Sequence, residues 1–297
     1  MRILHYSLGF PPYRTGGLTK FCMDLMKEQV KEGDDVSMLW PGEIQLIGKN
    51  TKIRRHDPVG GIGNFEVVNP TPVPFDEGIW DFNAFMYSGD PRPYEILLKH
   101  IKPDVIHIHT LMGLHKSFLD MAKKNGIRLV FTTHDFFPIC PKVTMFRRGQ
   151  ICKCIESCEE CGVCNNTALS LKKIQMLQSP MYRLMKDSSI VKKIRKHHRD
   201  EYLGDDSERD ENGSVGAPKD YKKLRAFYYS MLSTMDMIHY NSTVTKRAYE
   251  RVFNLPNNRV ISITHADIAD HKKRKNFSDY LRIRFLGPQG GVKGFFC

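Results

Sequence analysis

The chain opens with "RILHYSLGFPPYRTGGLTKFCMDLM", residues 2–26, and this stretch decides the fold class. A short, mostly apolar run, RILHYSL, comes first and is typical of a β-strand. A loop rich in glycine and proline, GFPPYRTGG, follows the run. Apolar residues then recur at helical spacing, with charged residues between them: Leu18, Phe21, Cys22, Leu25 and Met26. The stretch therefore predicts a strand, a glycine loop and a helix.

The same unit recurs along the chain. Further strands are predicted at PDVIHIH, RLVFTTHD, DMIHYNS and RVISI. The segment HKSFLDMAKKNG reads as a helix closed by glycine, and Ser242 or Asn241 can cap the helix TVTKRAYERVFNL. Strands and helices that alternate in this way favour an α/β fold, a Rossmann-like parallel sheet with helices on both faces.

Composition places the chain among globular proteins, with 41% hydrophobic and 26% charged residues in 297. No run of eighteen apolar residues exists, so no membrane span is predicted. The N-terminus is too short and polar for a secretory signal. We therefore expect a cytoplasmic protein.

Two segments interrupt the strand–helix pattern. Residues 140–166 are rich in cysteine and show no clear periodicity, which indicates an insertion. Residues 204–219 are acidic and nearly free of large apolar side chains, which predicts a flexible or disordered loop. Between these segments, residues 169–202 are expected to form one or two helices.

Polar residues follow several predicted strands, where an open parallel sheet binds its ligands. Gly16 and Gly17 precede the first helix, so that their backbone can approach a phosphate at the helix N-terminus. The alternative is a simple turn. His109 lies at the end of its strand, two residues after His107, and His134 directly follows the next strand. These histidines are candidates for ligand contacts, although a single histidine is more often structural.

Five segments together carry a resemblance to a known family: GFPPYRTGGLTKFCMDL, DVIHIHT, VFTTHDFFPICP, NSTVTKRAYERVF and FLGPQGGVKGF. In order and spacing they resemble the GT-B glycosyltransferases of the retaining family four, in particular bacterial enzymes that build polysaccharides. The resemblance implies a nucleotide-diphosphate sugar as donor substrate and a glycan or lipid-linked sugar as acceptor. Its fold consists of two Rossmann-like lobes facing each other across a cleft.

The resemblance also implies roles for particular residues. His134 and His109 would be the catalytic-site histidines, with His134 close to the transferred sugar. Gly16 and Gly17 would face the donor diphosphate, and Lys293 would neutralise that diphosphate. The family's E-x7-E motif is absent, and Pro288 stands where an arginine is common.

We therefore expect residues 1–280 to form the N-terminal, acceptor-binding lobe and residues 281–297 to begin a truncated donor-binding lobe. On this interpretation the chain is a glycosyltransferase (hexosyltransferase type) of polysaccharide biosynthesis, and alone it would be inactive. The alternative is a non-catalytic acceptor-binding or regulatory half that works with a separate donor-domain chain.

Cysteines cluster in the insertion at metal-ligand spacing: Cys152, Cys154, Cys158, Cys161 and Cys164, with Cys140 just upstream. In a cytosolic protein this spacing suits a structural zinc site better than disulfides. Free or variably paired thiols and an iron–sulfur cluster are the alternatives.

The chain carries a net charge of +12, most of it between residues 172 and 199, where nine basic residues accompany one acid. Apolar and basic residues mix in this segment, which favours docking at an anionic membrane surface, peripheral to the inner face of the membrane. An ordinary surface helix is the alternative. No recognised nucleic-acid motif accompanies the charge, so no nucleic-acid partner is expected.

Overall fold

Alternation along the first strand establishes the two faces of the central sheet. In β1 (Arg2–Tyr6) the side chains of Leu4 and Tyr6 point to one face and are fully buried in the larger of two hydrophobic cores. His5 points to the opposite face and is also fully buried. A polar imidazole therefore lies inside the molecule, on the face that the first helix covers.

The computed structural model describes residues 1–74, 78–147, 150–185, 188 and 215–264. Eight of its strands form one sheet in the order β10-β9-β6-β5-β1-β2-β4-β3. All neighbours run parallel except β3, which pairs antiparallel with β4 at the edge. The remaining strands are β2 (Asp35–Pro41), β3 (Lys52–Val59), β4 (Ile62–Val68), β5 (Val105–Ile108), β6 (Arg128–Thr132), β9 (Met237–Tyr240) and β10 (Asn258–Val260), and a separate hairpin consists of β7 (Phe146–Arg147) and β8 (Gln150–Ile151).

Helices cover both faces of the sheet. The helices of the described ranges are α1 (Gly17–Lys31), α2 (Phe82–Phe85), α3 (Arg92–Ile101), α4 (Lys116–Lys124), α5 (Cys161–Cys164), α6 (Leu171–Leu177), α7 (Pro180–Met185), α8 (Pro218–Leu232) and α9 (Thr243–Glu250). Helix α1 buries Cys22 and Met26 against Val36 and Met38 of β2, which forms the smaller core. Helices α3, α4 and α8 contribute to the larger core.

The predicted fold class is confirmed, and so are most of its details. Ser242 caps α9 by accepting a hydrogen bond from Thr245 N, and Gly126 follows α4 with a φ of +69°. Strands β2 to β4 and helix α8 were not predicted from the sequence. Within the described ranges, no helix combines the length and apolar character needed to cross a bilayer.

One boundary of the predicted acidic loop is wrong. Residues 204–214 lie outside the described residues, but residues 218 and 219 belong to α8 rather than to a loop. Pro218 suits the first turn of a helix, and Asp220 accepts a hydrogen bond from Ala217 N at 2.9 Å. These helix-start features outweigh the polar composition of the segment.

The antiparallel edge is anchored by a buried carboxylate. Glu66 of β4 is fully buried and accepts hydrogen bonds from Arg54 at 3.1 Å and His56 at 2.7 Å, both on β3. It also accepts one from Glu43 N at 3.0 Å. A buried charge of this kind needs all of its partners, because desolvation otherwise makes it costly.

We expect Glu66→Gln to lower the free energy of unfolding by about 2 kcal/mol, because the amide replaces charge-assisted hydrogen bonds with weaker or mismatched ones. Urea unfolding of both proteins measures the difference. Glu95→Gln, which removes a half-exposed partner of Lys99 on α3, is the control and should cost less than about 1 kcal/mol. Equal losses in the two variants would contradict a structural role for Glu66.

Candidate active site

The glycine turn leads directly into the first helix. Gly16 is the residue that precedes α1, and its φ of +117° is one that residues with side chains rarely adopt. Beyond the neighbouring backbone, no heavy atom of the described chain lies within 4 Å of a Cβ built on Gly16 or on Gly17. The backbone here is therefore open, and the free N–H groups of the first turn of α1 can meet an anion.

Four histidines from three neighbouring strands or strand ends lie on one face of the sheet: His5, His107, His109 and His134, here called the histidine layer. His5 Nδ1 lies 3.0 Å from His109 Nε2, and His109 Nδ1 lies 3.2 Å from His134 Nε2. His107 instead bonds Thr132 Oγ1 at 2.8 Å. Three of the imidazoles thus form a continuous hydrogen-bonded chain.

The contact between Gln29 and His5 determines which nitrogens donate and which accept along this hydrogen-bonded chain. Gln29 Oε1 lies 2.8 Å from His5 Nε2, and an amide oxygen only accepts, so His5 Nε2–H donates. His5 Nδ1 then accepts from His109 Nε2–H, and His109 Nδ1 accepts from His134 Nε2–H. In this arrangement Nδ1 of neutral His134 is left as a hydrogen-bond acceptor. His134 is the partly exposed end of the chain.

Burial keeps these imidazoles neutral. It lowers the pKa of His5 and of His134 to about 4, because the charged form would lose its hydration. The pKa of His109 is lowered well below its usual range by burial first and by neighbouring histidines second. At neutral pH the histidine layer therefore offers hydrogen-bond donors and acceptors, not positive charge.

Phe21 connects the glycine turn with the histidine layer. It lies one helical turn after Gly17, and its ring centroid is 5.0 Å from that of His134 and 6.0 Å from that of His109. Gly17 and His134 therefore lie on the same side of the sheet. The candidate site consists of the open N-terminus of α1 beside the neutral imidazole of His134.

A family model matches the part of the chain that carries this site. The model described as Glycosyltransferase Family 4 matches residues 15–153, just under half of the chain. This part of the chain is similar to the glycosyltransferases of family 4. The matched residues include both glycines of the turn, His109 and His134. The resemblance to GT-B glycosyltransferases, which rested on short segments, is thereby confirmed.

Two further comparisons give partial matches. The chain is 24% identical over 76 residues to an uncharacterized 42.6 kDa protein in the cps region of Klebsiella pneumoniae, a match that covers 26% of this chain and 20% of that protein. The catalytic domain of starch synthase IV from Arabidopsis thaliana, solved with ADP and acarbose, is 17% identical over 46% of this chain and 34% of that one. The TM-score of this structural match is 0.27, so we draw no conclusion about individual residues from it.

The residues that the sequence analysis assigned to the glycosyltransferase site have different outcomes. Gly16, Gly17, His109 and His134 are brought together as described above. Lys293 and the whole of residues 281–297 lie outside the described residues. His109 is fully buried, and its ring nitrogens lie within hydrogen-bond distance of His5 and His134. Its role in the site stays a prediction.

The sequence analysis missed three contributors to the site: His5, Gln29 and Phe21. A signal for His5 was present, since its strand runs parallel to β5 and His5 pairs directly with His107. Phe21 could have been found as the residue four positions after Gly17 on the same helix face. Gln29 gave no signal, because only the packing of α1 on the sheet brings it to His5.

Two groups in this layer have ligand atoms within 4.8 Å of one another, as a metal site would need: His5 with His107 and His109, and Cys22 with His109 and His134. Five of the ring nitrogens of His5, His109 and His134 are already accounted for by the hydrogen-bonded chain and Gln29. The described geometry is that of a hydrogen-bond network.

Stability should fall as the pH drops from 6.5 towards 4. In that window an unfolded chain protonates His5, while the folded chain, whose His5 has a pKa of about 4, does not. The free energy of unfolding then decreases by about 1.4 kcal/mol per pH unit for each such histidine.

Urea unfolding at several pH values between 7.5 and 4.5 measures this slope. His5→Gln removes one titrating group and should make the slope shallower than in the wild type. His100→Gln, at an exposed position on α3, is the matched control. The same slope in wild type and His5→Gln would mean that His5 does not cause the acid sensitivity.

Proposed function

We propose that the chain takes part in transferring a sugar from a nucleotide-diphosphate donor to a glycan or lipid-linked acceptor, with retention of configuration, in polysaccharide biosynthesis. The observation that carries this proposal is the open N-terminus of α1 beside His134, within the region that matches glycosyltransferase family 4. The relative in a cps region supports the polysaccharide role.

In this proposal the first turn of α1 stabilises the leaving diphosphate. Negative charge grows on the diphosphate as the bond to the sugar breaks, and N–H groups fixed in place before reaction stabilise it without reorganisation. Gly16 and Gly17 leave room for close approach, since a side chain at either position would project into the open space. Lys293 would add a positive charge to the same group.

His134 positions the transferred sugar. Its Nδ1 accepts a hydrogen bond from a sugar hydroxyl, while the chain through His109 and His5 to Gln29 holds the ring and its tautomer. Because its pKa is lowered to about 4, His134 carries no imidazolium proton at neutral pH, so it orients the donor and does not protonate the leaving group. The leaving diphosphate itself can accept the acceptor's proton.

Substituting Gly17 tests this proposal. A Cβ added at Gly17 meets nothing within 4 Å beyond the neighbouring backbone, so we expect Gly17→Val to fold, while its side chain would occupy the space of the diphosphate. Because the chain alone is expected to be inactive, the quantity that decides is donor binding: we expect Gly17→Val to weaken it at least tenfold, which corresponds to about 1.4 kcal/mol.

Transfer and binding are measured with UDP-glucose, ADP-glucose and GDP-mannose on a panel of glycan and lipid-linked acceptors, and the anomeric configuration of the product is read by NMR. Lys27→Ala, at an exposed position of α1, is the control. Unchanged donor binding in Gly17→Val would contradict the diphosphate site. Acceptor binding without any transfer would favour the regulatory half. The expected inactivity of the chain alone stays a prediction.

Docking at an anionic membrane surface is a second part of the proposal. Helix α7 exposes Met181 and Leu184, and Ile47 is exposed on a neighbouring loop whose Ile44 N bonds Gln178 O at 3.0 Å. Lysines 172 and 173 are exposed on α6. Apolar side chains flanked by lysines suit the interface of an anionic membrane. Residues 186, 187 and 189–199 of the basic segment lie outside the described residues.

We expect the protein to float with vesicles of phosphatidylcholine that contain phosphatidylglycerol, and to float less when Lys172 and Lys173 are both changed to glutamate, because anionic lipid attracts basic residues. Flotation in a density gradient measures the bound fraction. Changing Lys27 and Lys31 of α1 together to glutamate controls for the same change of net charge. Equal flotation with and without phosphatidylglycerol would contradict electrostatic docking.

A further inference from the structure

Two cysteines of the insertion share one buried arginine. Arg225 of α8 is 6% exposed, and its Nη1 lies 2.7 Å from the sulfur of Cys158 while its Nη2 lies 3.6 Å from the sulfur of Cys161. The two thiols also hydrogen-bond each other. Both cysteines are buried, and neither is in a disulfide. The two sulfurs and the guanidinium therefore form one compact group, here called the dithiol–arginine cluster.

A tight backbone turn holds the two sulfurs together. Cys158 and Cys161 are separated by two residues, the spacing of dithiols that exchange with a disulfide. Cys161 N donates to Cys158 O at 3.1 Å, which closes the turn. Cys158 has a φ of +64°, a conformation that residues with side chains rarely adopt. The chain thus accepts a strained backbone at the residue whose sulfur lies against the arginine.

The charge of Arg225 favours a thiolate in this pair. In the described chain its guanidinium donates to the carbonyl oxygens of Ile139 and Ile155 and to the two sulfurs, with no carboxylate among these acceptors. A buried cation requires a compensating anion, and the sulfurs are the groups here that can provide it. The hydrogen bond from Cys161 is the main cause that lowers the pKa of Cys158 to about 6. The charge of Arg225 acts in the same direction, and burial opposes both.

A small oxidant can reach the pair through a cavity. The cavity has a volume of about 340 Å³ and lies between the insertion and α8. It is here called the cysteine cavity, because five cysteines line it: Cys140, Cys152, Cys154, Cys161 and Cys164. Cys158 is fully buried and does not line it. Since a water molecule occupies about 30 Å³ in the liquid, a molecule such as hydrogen peroxide fits next to Cys161.

The zinc site predicted from the cysteine spacing stays a prediction. No three cysteine sulfurs of the described chain lie within 4.8 Å of one another, so the geometry selects no set of metal ligands. The guanidinium of Arg225, in contrast, selects two cysteines by direct contact. A pair of sulfurs in contact suits the formation of one S–S bond.

We propose that Cys158 and Cys161 are a redox-active dithiol, which a peroxide oxidises to a disulfide and which thiols reduce again. Their hydrogen bond lets one proton move between the two sulfurs, so that the thiolate can form on Cys161, which faces the cavity. Arg225 contacts both sulfurs and stabilises the negative charge on either one.

The oxidation takes place in two balanced steps. The Cys161 thiolate attacks one oxygen of hydrogen peroxide, the O–O bond breaks and a sulfenic acid forms, while the departing hydroxide takes the thiol proton of Cys158 and becomes water. The Cys158 thiolate then attacks the sulfur of Cys161, the S–O bond breaks, and the second hydroxide takes a proton from solvent. The two sulfurs have together lost two electrons to the two peroxide oxygens.

Oxidation would affect the loop that carries His134. A disulfide has no charge, so Arg225 loses its compensating anion. Arg225 Nε donates to Ile139 O at 2.8 Å, in the loop that follows β6. We therefore expect the hydrogen bonds of this loop, such as the one from Cys140 N to Phe136 O at 2.7 Å, to open more often in the oxidised protein. The inference does not depend on the proposed transferase activity.

Peptide mapping of the wild type tests the pair directly. Glu159 and Glu160 lie between the two cysteines, so a protease that cleaves after glutamate separates them unless a disulfide joins them. After treatment with hydrogen peroxide and alkylation of the remaining thiols, we expect a linked pair of peptides that dithiothreitol separates. Tandem mass spectrometry distinguishes Cys161 from Cys164 in the linked peptide. A protein that gives no linked pair, or one with Cys164 as the partner of Cys158, would overturn the proposal.

Two further outcomes of the same experiment also decide against the pair. They are a disulfide between Cys152 and Cys154, whose sulfurs lie 3.8 Å apart, in place of the expected one, and a bound metal that prevents oxidation. Cys154→Ser is the matched control, because it removes a thiol of the same cavity outside the pair, and it should form the disulfide as the wild type does. Cys161→Ser should lose it. The wild-type map decides the outcome if a variant fails to fold.

Hydrogen–deuterium exchange of the reduced and the oxidised wild type tests the effect on the loop. We expect amides of residues 135–140 to exchange roughly tenfold faster after oxidation, and those of α4 to remain unchanged. Dithiothreitol should restore the slower exchange. Equal exchange in the two forms would contradict the link between the dithiol–arginine cluster and the loop.

Discussion

The parallel register of β1, β5 and β6 is the constraint on which the candidate site depends. His5 pairs directly with His107, and His107 pairs with Val130, so these three residues occupy the same register position on adjacent strands. Because side chains alternate between the faces of a sheet, residues two positions further on return to the same face. His109 therefore lies above His107, and His134 lies near His109. A shift of one residue in either pairing would move half of these imidazoles to the opposite face.

This register buries a row of polar imidazole rings inside the protein, which costs free energy. Hydrogen bonds between the rings offset that cost. Each bond in the chain from Gln29 to His134 satisfies a buried nitrogen that would otherwise cost free energy. Burial also excludes positive charge from the rings. The site thus separates two tasks: the N-terminus of α1 provides partial positive charge, and His134 provides a neutral acceptor at a fixed position.

The loop that follows β6 links this chemistry to the cysteine-rich insertion. His134 and Asp135 begin the loop, and Asp135 accepts a hydrogen bond from Phe137 N at 2.9 Å. Further along, Cys140 faces the cysteine cavity and Arg225 bonds the adjacent carbonyl of Ile139. The insertion therefore does more than interrupt the fold, because its contacts end on the same loop that presents the site histidine.

Local sequence determined the strand–loop–helix units, the cap at Ser242 and the candidate residues Gly16, Gly17 and His134, because each depends on neighbours in the chain. The tertiary structure decided which of them meet. Strand order brought His5 to His109, and helix packing brought Gln29 and Phe21 to the same layer. Pairing partners that lie about a hundred residues apart leave no local pattern, since their contact depends on how the sheet assembles. The side-chain periods of strands and helices predict the faces of elements, and only the assembled sheet gives those faces their neighbours.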